Sequence, residues 1–436
     1  MRINIVGGGL AGSEAALSLA SRGFKVSLYE MRPQRTTEIH RTGDFAELVC
    51  SNSLKSEDLS NASGVLKAEA TLLGSILIEI AKKYRVPAGK ALAVDRIKFS
   101  AEITRLIKEN PNINVIRQEV KSIELNDEDT IWIVATGPLS SPDFESWLLS
   151  VFDEDLFFFD AVAPIVAADS IDMTLAFEAD RYGKGSGDYI NCPLKREEYE
   201  VFHDALVNAE RAPIENFSDR LLFERCQPVE EIARSGIDAL RFGPMKPVGL
   251  IDPRTGEQPY AVVQLRKENV EGTLYNLVGF QTRLKWNEQR RVFRMIPALH
   301  SAEFVRYGVM HRNTYLNSPK LLNPDLRSRE FSNLFFCGQI TGLEGYVEAI
   351  TSGRFVALNV EHFLKTGQTF VLPKATMLGA LIDHITISGK VPLNPVYANF
   401  GLLPSVRARG KREKKLLKAK RAIETMKSFL EREGIL

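Results

Sequence analysis

The sequence predicts an α/β fold interrupted by a mixed α+β insertion, and three observations predict it. A strand, a glycine-rich turn, an alanine-rich helix and a second strand fill residues 2–30. The strand-and-helix rhythm is lost between about 157 and 330. It returns from 331 with a second strand, glycine and helix unit. The expected division is therefore 1–156 and 331–436 for the two parts of one domain, with 157–330 inserted between them.

In the first unit, Arg2-Ile3-Asn4-Ile5-Val6 supplies the strand. Gly7-Gly8-Gly9-Leu10-Ala11-Gly12 then fits G-x-G-x-x-G, with Gly7, Gly9 and Gly12 at the three required positions. Gly7 permits the tight turn, Gly9 lets the backbone approach a pyrophosphate, and Gly12 lets the helix pack on the sheet. The helix from about Ala11 to Arg22 aims its positive end at that pyrophosphate. Val26 and Leu28 alternate with polar neighbours up to Glu30, which falls where a carboxylate would accept hydrogen bonds from an adenosine ribose. An acid there favours an unphosphorylated ribose, so FAD or NAD. The expected fold is Rossmann-like.

The chain has 436 residues, 44% of them apolar, and a formal net charge of +1. Such a balance excludes a global field for nucleic acid, so any such partner must be met by a local patch. No run of 18 apolar residues occurs and the N-terminus opens on a strand, which predicts a cytoplasmic protein with no membrane partner. The cysteines Cys50, Cys192, Cys226 and Cys337 are widely spaced with no C-x-x-C, so no metal site or redox dithiol is expected.

From Arg32 to Asn61 the chain turns polar. Cys50 lies among Ser51, Asn52 and Ser53 near Lys55, donors and a cation able to hold a thiolate. Residues 64–84 read as one long helix, with Leu66, Ala70, Leu73, Leu77 and Ile80 on one face; a helix over 95–108 and a strand over 112–120 follow. The strand from Thr130 runs into Gly137, whose end of the sheet is the ligand side of a doubly wound fold; an ordinary buried strand reads equally well. Inside the insertion, Cys226 sits beside Arg225, which would lower its pKa if the two are close.

Residues 279–312 interleave Arg283, Lys285, Arg290, Arg291, Arg294, Arg306 and Arg312 with Phe280, Trp286, Phe293, Phe304 and Tyr307. Cations and stacking surfaces together suit a single-stranded or flipped nucleotide; a solvated helix with its aromatics on the core is the plainer reading. Past 330, Leu334 to Cys337 leads into Gly338, Gln339, Gly342 and Gly345, then a helix near Tyr346 that could meet a flavin. The tail carries eleven basic residues, Arg412, Lys414 and Lys415 among them, against four acidic ones. Leu416, Ala419, Ile423, Met426 and Leu430 give it an apolar stripe, so a docked helix with a phosphate-gripping outer face is expected.

These stretches taken together resemble the folate- and FAD-dependent tRNA uracil-5 methyltransferase family. The match runs through Ile5 to Ala16, Phe45 to Lys55, Phe223 to Glu230, Gly279 to Thr314 and Phe335 to Gly353. The larger flavin-dependent tRNA modifiers of the GidA type are related but carry a longer C-terminal region. The resemblance implies an FAD-binding domain of the glutathione-reductase type and methylation of uridine 54 in the tRNA T-loop. It implies 5,10-methylenetetrahydrofolate as carbon donor and NADPH or NADH as reductant. Cys50 and Cys226 match the family's two functional cysteines; which one attacks uracil stays open. GidA-like modification of another uridine, or a flavin-bound tRNA chaperone, are the competing expectations.

Overall fold

The computed structural model describes residues 1–37, 39–127, 129–152, 156–161, 163–183, 187–212, 227–268, 272–308, 310–387 and 395–435. Five parallel strands form the first sheet, in the spatial order 334–336, 130–134, 2–6, 26–29 and 113–116. The strand at 334–336 pairs with 130–134 at one edge, although two hundred residues of chain separate them. Ile3, Ile5, Val26, Leu28, Ile131, Ile133 and Phe335 are buried along this sheet. Runs so continuously apolar are what a parallel sheet covered on both faces requires.

The helix Leu10–Ser21 crosses the helix Tyr346–Thr366 closely, and the crossing depends on glycine. A Cβ on Gly353 would lie 2.3 Å from the Ala11 carbonyl oxygen, and one on Gly12 would lie 1.9 Å from that of Gly7. No side chain fits at either point. The glycine at the end of the first motif thus sets how deeply the helix sits on the sheet, as its spacing predicts.

A second, antiparallel sheet of six strands runs in the order 177–178, 189–194, 261–267, 274–277, 165–167 and 304–306, over its own core of Tyr199, Phe202, Phe280 and Phe293. The antiparallel pair 156–161 and 310–315 carries the chain out to this sheet and back. Among the described residues, no helix is long and apolar enough to cross a membrane.

Three expected elements differ. The strand expected over 112–120 covers only Ile113–Ile116. The single helix over 64–84 is two helices, Ala62–Leu72 and Ile76–Lys83, because Gly74 adopts φ +73° and the Ser75 hydroxyl accepts from Ile78 N–H as a new N-cap. Apolar spacing survives such a break, so it does not reveal one. In the tail helix, Lys411–Glu433, Leu416 is 43% exposed, and the buried face is instead Ala419, Ala422, Met426, Phe429 and Leu430. The stripe begins about one turn later than the spacing suggests.

Candidate functional site

A cleft opens at the ligand end of the parallel sheet, lined by Gly7, Gly9, Glu30, Arg32, Thr136 and Phe144 among others. Gly7 holds φ +100°, and its missing Cβ would strike the Ala135 carbonyl. Gly9 has nothing within 4 Å of its Cβ position, so its backbone is bare at the start of the helix Leu10–Ser21. Leu10 and Ala11 are buried in that helix. Gly8 lies under the ring of Phe45, and its N–H donates to Glu30 Oε2 at 2.9 Å.

Glu30 is where the spacing predicts, at the end of the second strand and on the cleft wall, but it is already engaged. Oε1 accepts from the Arg32 N–H at 3.0 Å and Nε at 2.9 Å, while Oε2 accepts from Gly8 N–H and from Arg32 Nη2 at 3.1 Å. A carboxylate offers about four acceptor positions, and four donors fill them. Burial alone would raise this carboxyl; the Arg32 guanidinium outweighs it and holds Glu30 below its ordinary value. A ribose hydroxyl must therefore share or displace an Arg32 donor. Arg32 also donates to Glu47 at 3.2 Å, so one buried guanidinium ties together two carboxylates. Nothing in the motif spacing points to it.

The second glycine unit faces the first. Gly338 holds φ +81°, and a Cβ there would lie 2.9 Å from the Ala11 Cβ. Gln339 donates through Nε2 to both Glu344 oxygens, at 2.9 and 3.0 Å, and Gly342 at φ +91° ends the short turn. Gly137, at φ +65° past the strand 130–134, has open space at its Cβ position. Bare backbone at Gly9, a helix N-terminus and a carboxylate in one cleft fit the adenosine and pyrophosphate portions of FAD.

The segment carrying Cys50 is tied to both units. Near its start, Ala46 N–H donates to the Gly8 carbonyl at 2.9 Å. At its end, the Tyr346 hydroxyl accepts from Cys50 N–H at 2.7 Å and from Ser51 N–H at 3.0 Å. Tyr346 opens the second unit's helix. Its phenol is raised, by burial first and then by Cys50, so it stays protonated. Arg306 lies within electrostatic reach of Cys50, and Arg266 donates to Ser51 Oγ and Asn52 Oδ1 at 3.0 Å each. Cys50 thus sits on a fixed backbone, with Arg306 within electrostatic reach and Arg266 on its neighbours Ser51 and Asn52.

Cys226 lies outside the described residues. Cys192 and Cys337 are fully buried; burial pushes the Cys192 thiol up to about 12 and also raises that of Cys337. Both pack as small apolar side chains.

The basic residues divide. Arg283 is turned inward, paired with Glu231 at 2.8 Å, and does not present its guanidinium to solvent. Lys285, Arg290 and Arg291 are exposed on or beside the helix Trp286–Phe293; Lys285 pairs with Glu210, Arg291 with Glu288, and Arg290 donates to the Tyr307 hydroxyl. Arg412, Lys414 and Lys415 are exposed on the tail helix. Among the described residues, no group of three or more His, Cys, Asp and Glu is placed to hold a metal.

The family model for glucose inhibited division protein A matches residues 2–368. Over 434 residues the chain is 59% identical to methylenetetrahydrofolate--tRNA-(uracil-5-)-methyltransferase TrmFO of Thermotoga maritima, covering 99% of both chains. The chain belongs to the TrmFO branch of the GidA family. It is also 52% identical to the TrmFO of Natranaerobius thermophilus, covering 99% of this chain and 100% of that one. Among solved structures, Aquifex aeolicus GidA superposes with a TM-score of 0.71 at 15% identity, covering all of this chain and 74% of that one. At that identity the likeness speaks for the fold alone. This TrmFO-branch chain thus has an FAD-binding Rossmann-like architecture of the glutathione-reductase type and shares its fold with GidA.

Proposed function

We propose that this protein methylates C5 of uridine 54 in the tRNA T-loop, taking the carbon from 5,10-methylenetetrahydrofolate and the reducing equivalents from NADPH or NADH. One observation in the structure carries the reading: the Cys50 segment is hydrogen-bonded to Gly8 in the first glycine unit and to Tyr346 in the second. A nucleophile candidate is thereby held against the frame that holds the dinucleotide.

C5 of uracil is a poor nucleophile. Addition of a thiolate at C6 makes C5 an enolate carbon, which attacks the folate methylene; loss of the C5 proton then breaks the methylene C–N bond with tetrahydrofolate as leaving group, and hydride addition to the methylene left on C5 expels the thiolate from C6. Cys50 and Cys226 take the two roles of nucleophile and proton carrier. Gly7, Gly9, Gly12, Glu30, Gly338 and Gly342 would frame the FAD site, and FAD bound there and reduced by NADPH or NADH would supply the hydride that converts methylene to methyl. The protein's own part is to orient Cys50, keep cations beside its sulfur and exclude water. Exposed Lys285, Arg290, Arg291, Arg412, Lys414 and Lys415 meet the RNA backbone.

Incubating the protein with unmodified tRNA, methylenetetrahydrofolate and NADPH, then digesting to nucleosides, tests the reading. 5-Methyluridine formed at position 54 supports it. FAD-loaded protein that binds tRNA without forming 5-methyluridine is the chaperone outcome and overturns it.

A further inference from the structure

A second cleft lies between the segment 41–47, the start of the helix Arg96–Glu109 and the insertion residues 305–307. Three of the protein's most exposed large apolar side chains line it: Ile97 at 65%, Trp286 at 60% and Val305 at 55%. The Trp286 ring stacks on Tyr307 with centroids 5.6 Å apart and planes 13° apart. Phe304 stacks on Tyr307 with the same spacing and angle. Arg290 fixes the Tyr307 hydroxyl. Trp286 is thus the outermost plate of a braced aromatic shelf.

Arg41, Arg96 and Arg306 line the same cleft, with the Arg306 Nη2 also donating to the Ile39 carbonyl at 3.2 Å. Arg306 is held below its ordinary value by burial first and then by repulsion from Arg96 and Arg41, and its Nε is buried without a hydrogen-bond partner. Of the carboxylates nearby, Glu268 is taken by Arg96 at 2.6 Å, and Glu47 accepts from Arg32, from Thr42 Oγ1 and from the Arg41 and Thr42 N–H groups. Asp44 remains, on the same wall. Like charges crowded in a half-buried cleft are costly, and an anion would relieve them.

We infer that this cleft binds a nucleotide of the RNA neighbouring the reacting uridine, its phosphate on Arg41, Arg96 and Arg306 and its base on the face of Trp286. The inference rests on the tRNA reading above and adds to it a place and a recognition mode. Arginines paired with a planar exposed shelf suit a phosphate with an attached base, because every base has a face to stack. Arg306 lines the cleft and lies within electrostatic reach of Cys50, which puts the cleft near the nucleophile candidate.

FAD-loaded wild type, Arg41→Ala and Trp286→Leu would be titrated with a T-arm transcript over a range of salt concentrations. Arg41→Ala is expected to lower the slope of log affinity against log salt by about 1. Trp286→Leu is expected to weaken binding roughly tenfold. Transcripts made abasic at single positions flanking the uridine should reproduce the Trp286→Leu loss at one position, with no further loss when both changes are combined. FAD content and melting temperature report that each variant is folded. Folded variants with wild-type affinity and salt slope would overturn the inference. Absence of 5-methyluridine with the wild type would instead sink the activity reading, since the binding measurement needs no turnover.

Discussion

Arg32 and Glu30 form a closed pair inside the dinucleotide cleft, with three Arg32 donors on the Glu30 carboxylate at 2.9 to 3.1 Å and both side chains nearly fully buried. Removing the cation would leave buried Glu30 and half-buried Glu47 as neighbouring carboxylates facing an anionic cofactor. Arg32→Ala is expected to weaken FAD binding at least tenfold and to destabilise the fold by about 3–5 kcal/mol, the usual cost of breaking a buried pair. Arg32→Lys keeps the charge without the fork and should fall between. FAD titration of the apoproteins reads the first effect and denaturant unfolding the second; wild-type FAD affinity in Arg32→Ala would refute the role.

Tyr346 and Cys50 make the second such relationship. Tyr346→Phe strips the acceptor from two backbone N–H groups, each costing about 1–3 kcal/mol if left unsatisfied. The Cys50 loop should loosen. Amide exchange at Cys50 and Ser51 is expected to accelerate, and kcat to fall at least tenfold with KM for tRNA within about threefold, as for an interaction that serves the transition state. Cys50→Ala is expected to abolish turnover while retaining FAD. Full activity in Cys50→Ala would remove Cys50 from the chemistry.

Glu69 predicts a pH dependence of stability. It is fully buried, and its carboxyl is pushed up to about 8 by burial, only partly offset by the N–H groups of Met377 and Leu378 that it accepts from. The folded state holds this proton more tightly than the unfolded chain does. Its contribution is therefore present below the ordinary value near 4.5 and is lost as pH rises through about 8. Glu69→Gln should flatten that slope in denaturant midpoints measured between about pH 5 and about pH 8. Identical slopes for the two proteins would contradict the assignment.

The outer face of the tail helix predicts a salt effect. Replacing Lys414 and Lys415 together by Ala should lower the tRNA salt slope by up to about 2 without changing FAD content. An unchanged slope would show that this face does not meet RNA.

Much of the frame was legible because glycine spacing and apolar runs encode it locally. Gly7, Gly9 and Gly12 stand in a strand, turn and helix as their spacing requires, and Gly338 returns to meet Ala11. What was not legible depends on contacts across long stretches of sequence. Tyr346 lies 296 residues from Cys50 and caps its loop through an ordinary hydroxyl. Arg32 is only two residues from Glu30, yet an arginine after a ribose carboxylate reads as a surface residue until its burial is seen. Arg283 shows the reverse: counted among the basic residues, it spends its charge on Glu231. Charge density in sequence does not tell which cations are already paired.

The most direct test of the account is the origin of the transferred carbon. Purified protein is incubated with an unmodified T-arm transcript, NADPH and methylenetetrahydrofolate labelled at the methylene carbon, in parallel with labelled S-adenosylmethionine. The account predicts label in the C5 methyl of uridine 54 from the folate alone. Label arriving from S-adenosylmethionine, or none from the folate, would contradict it.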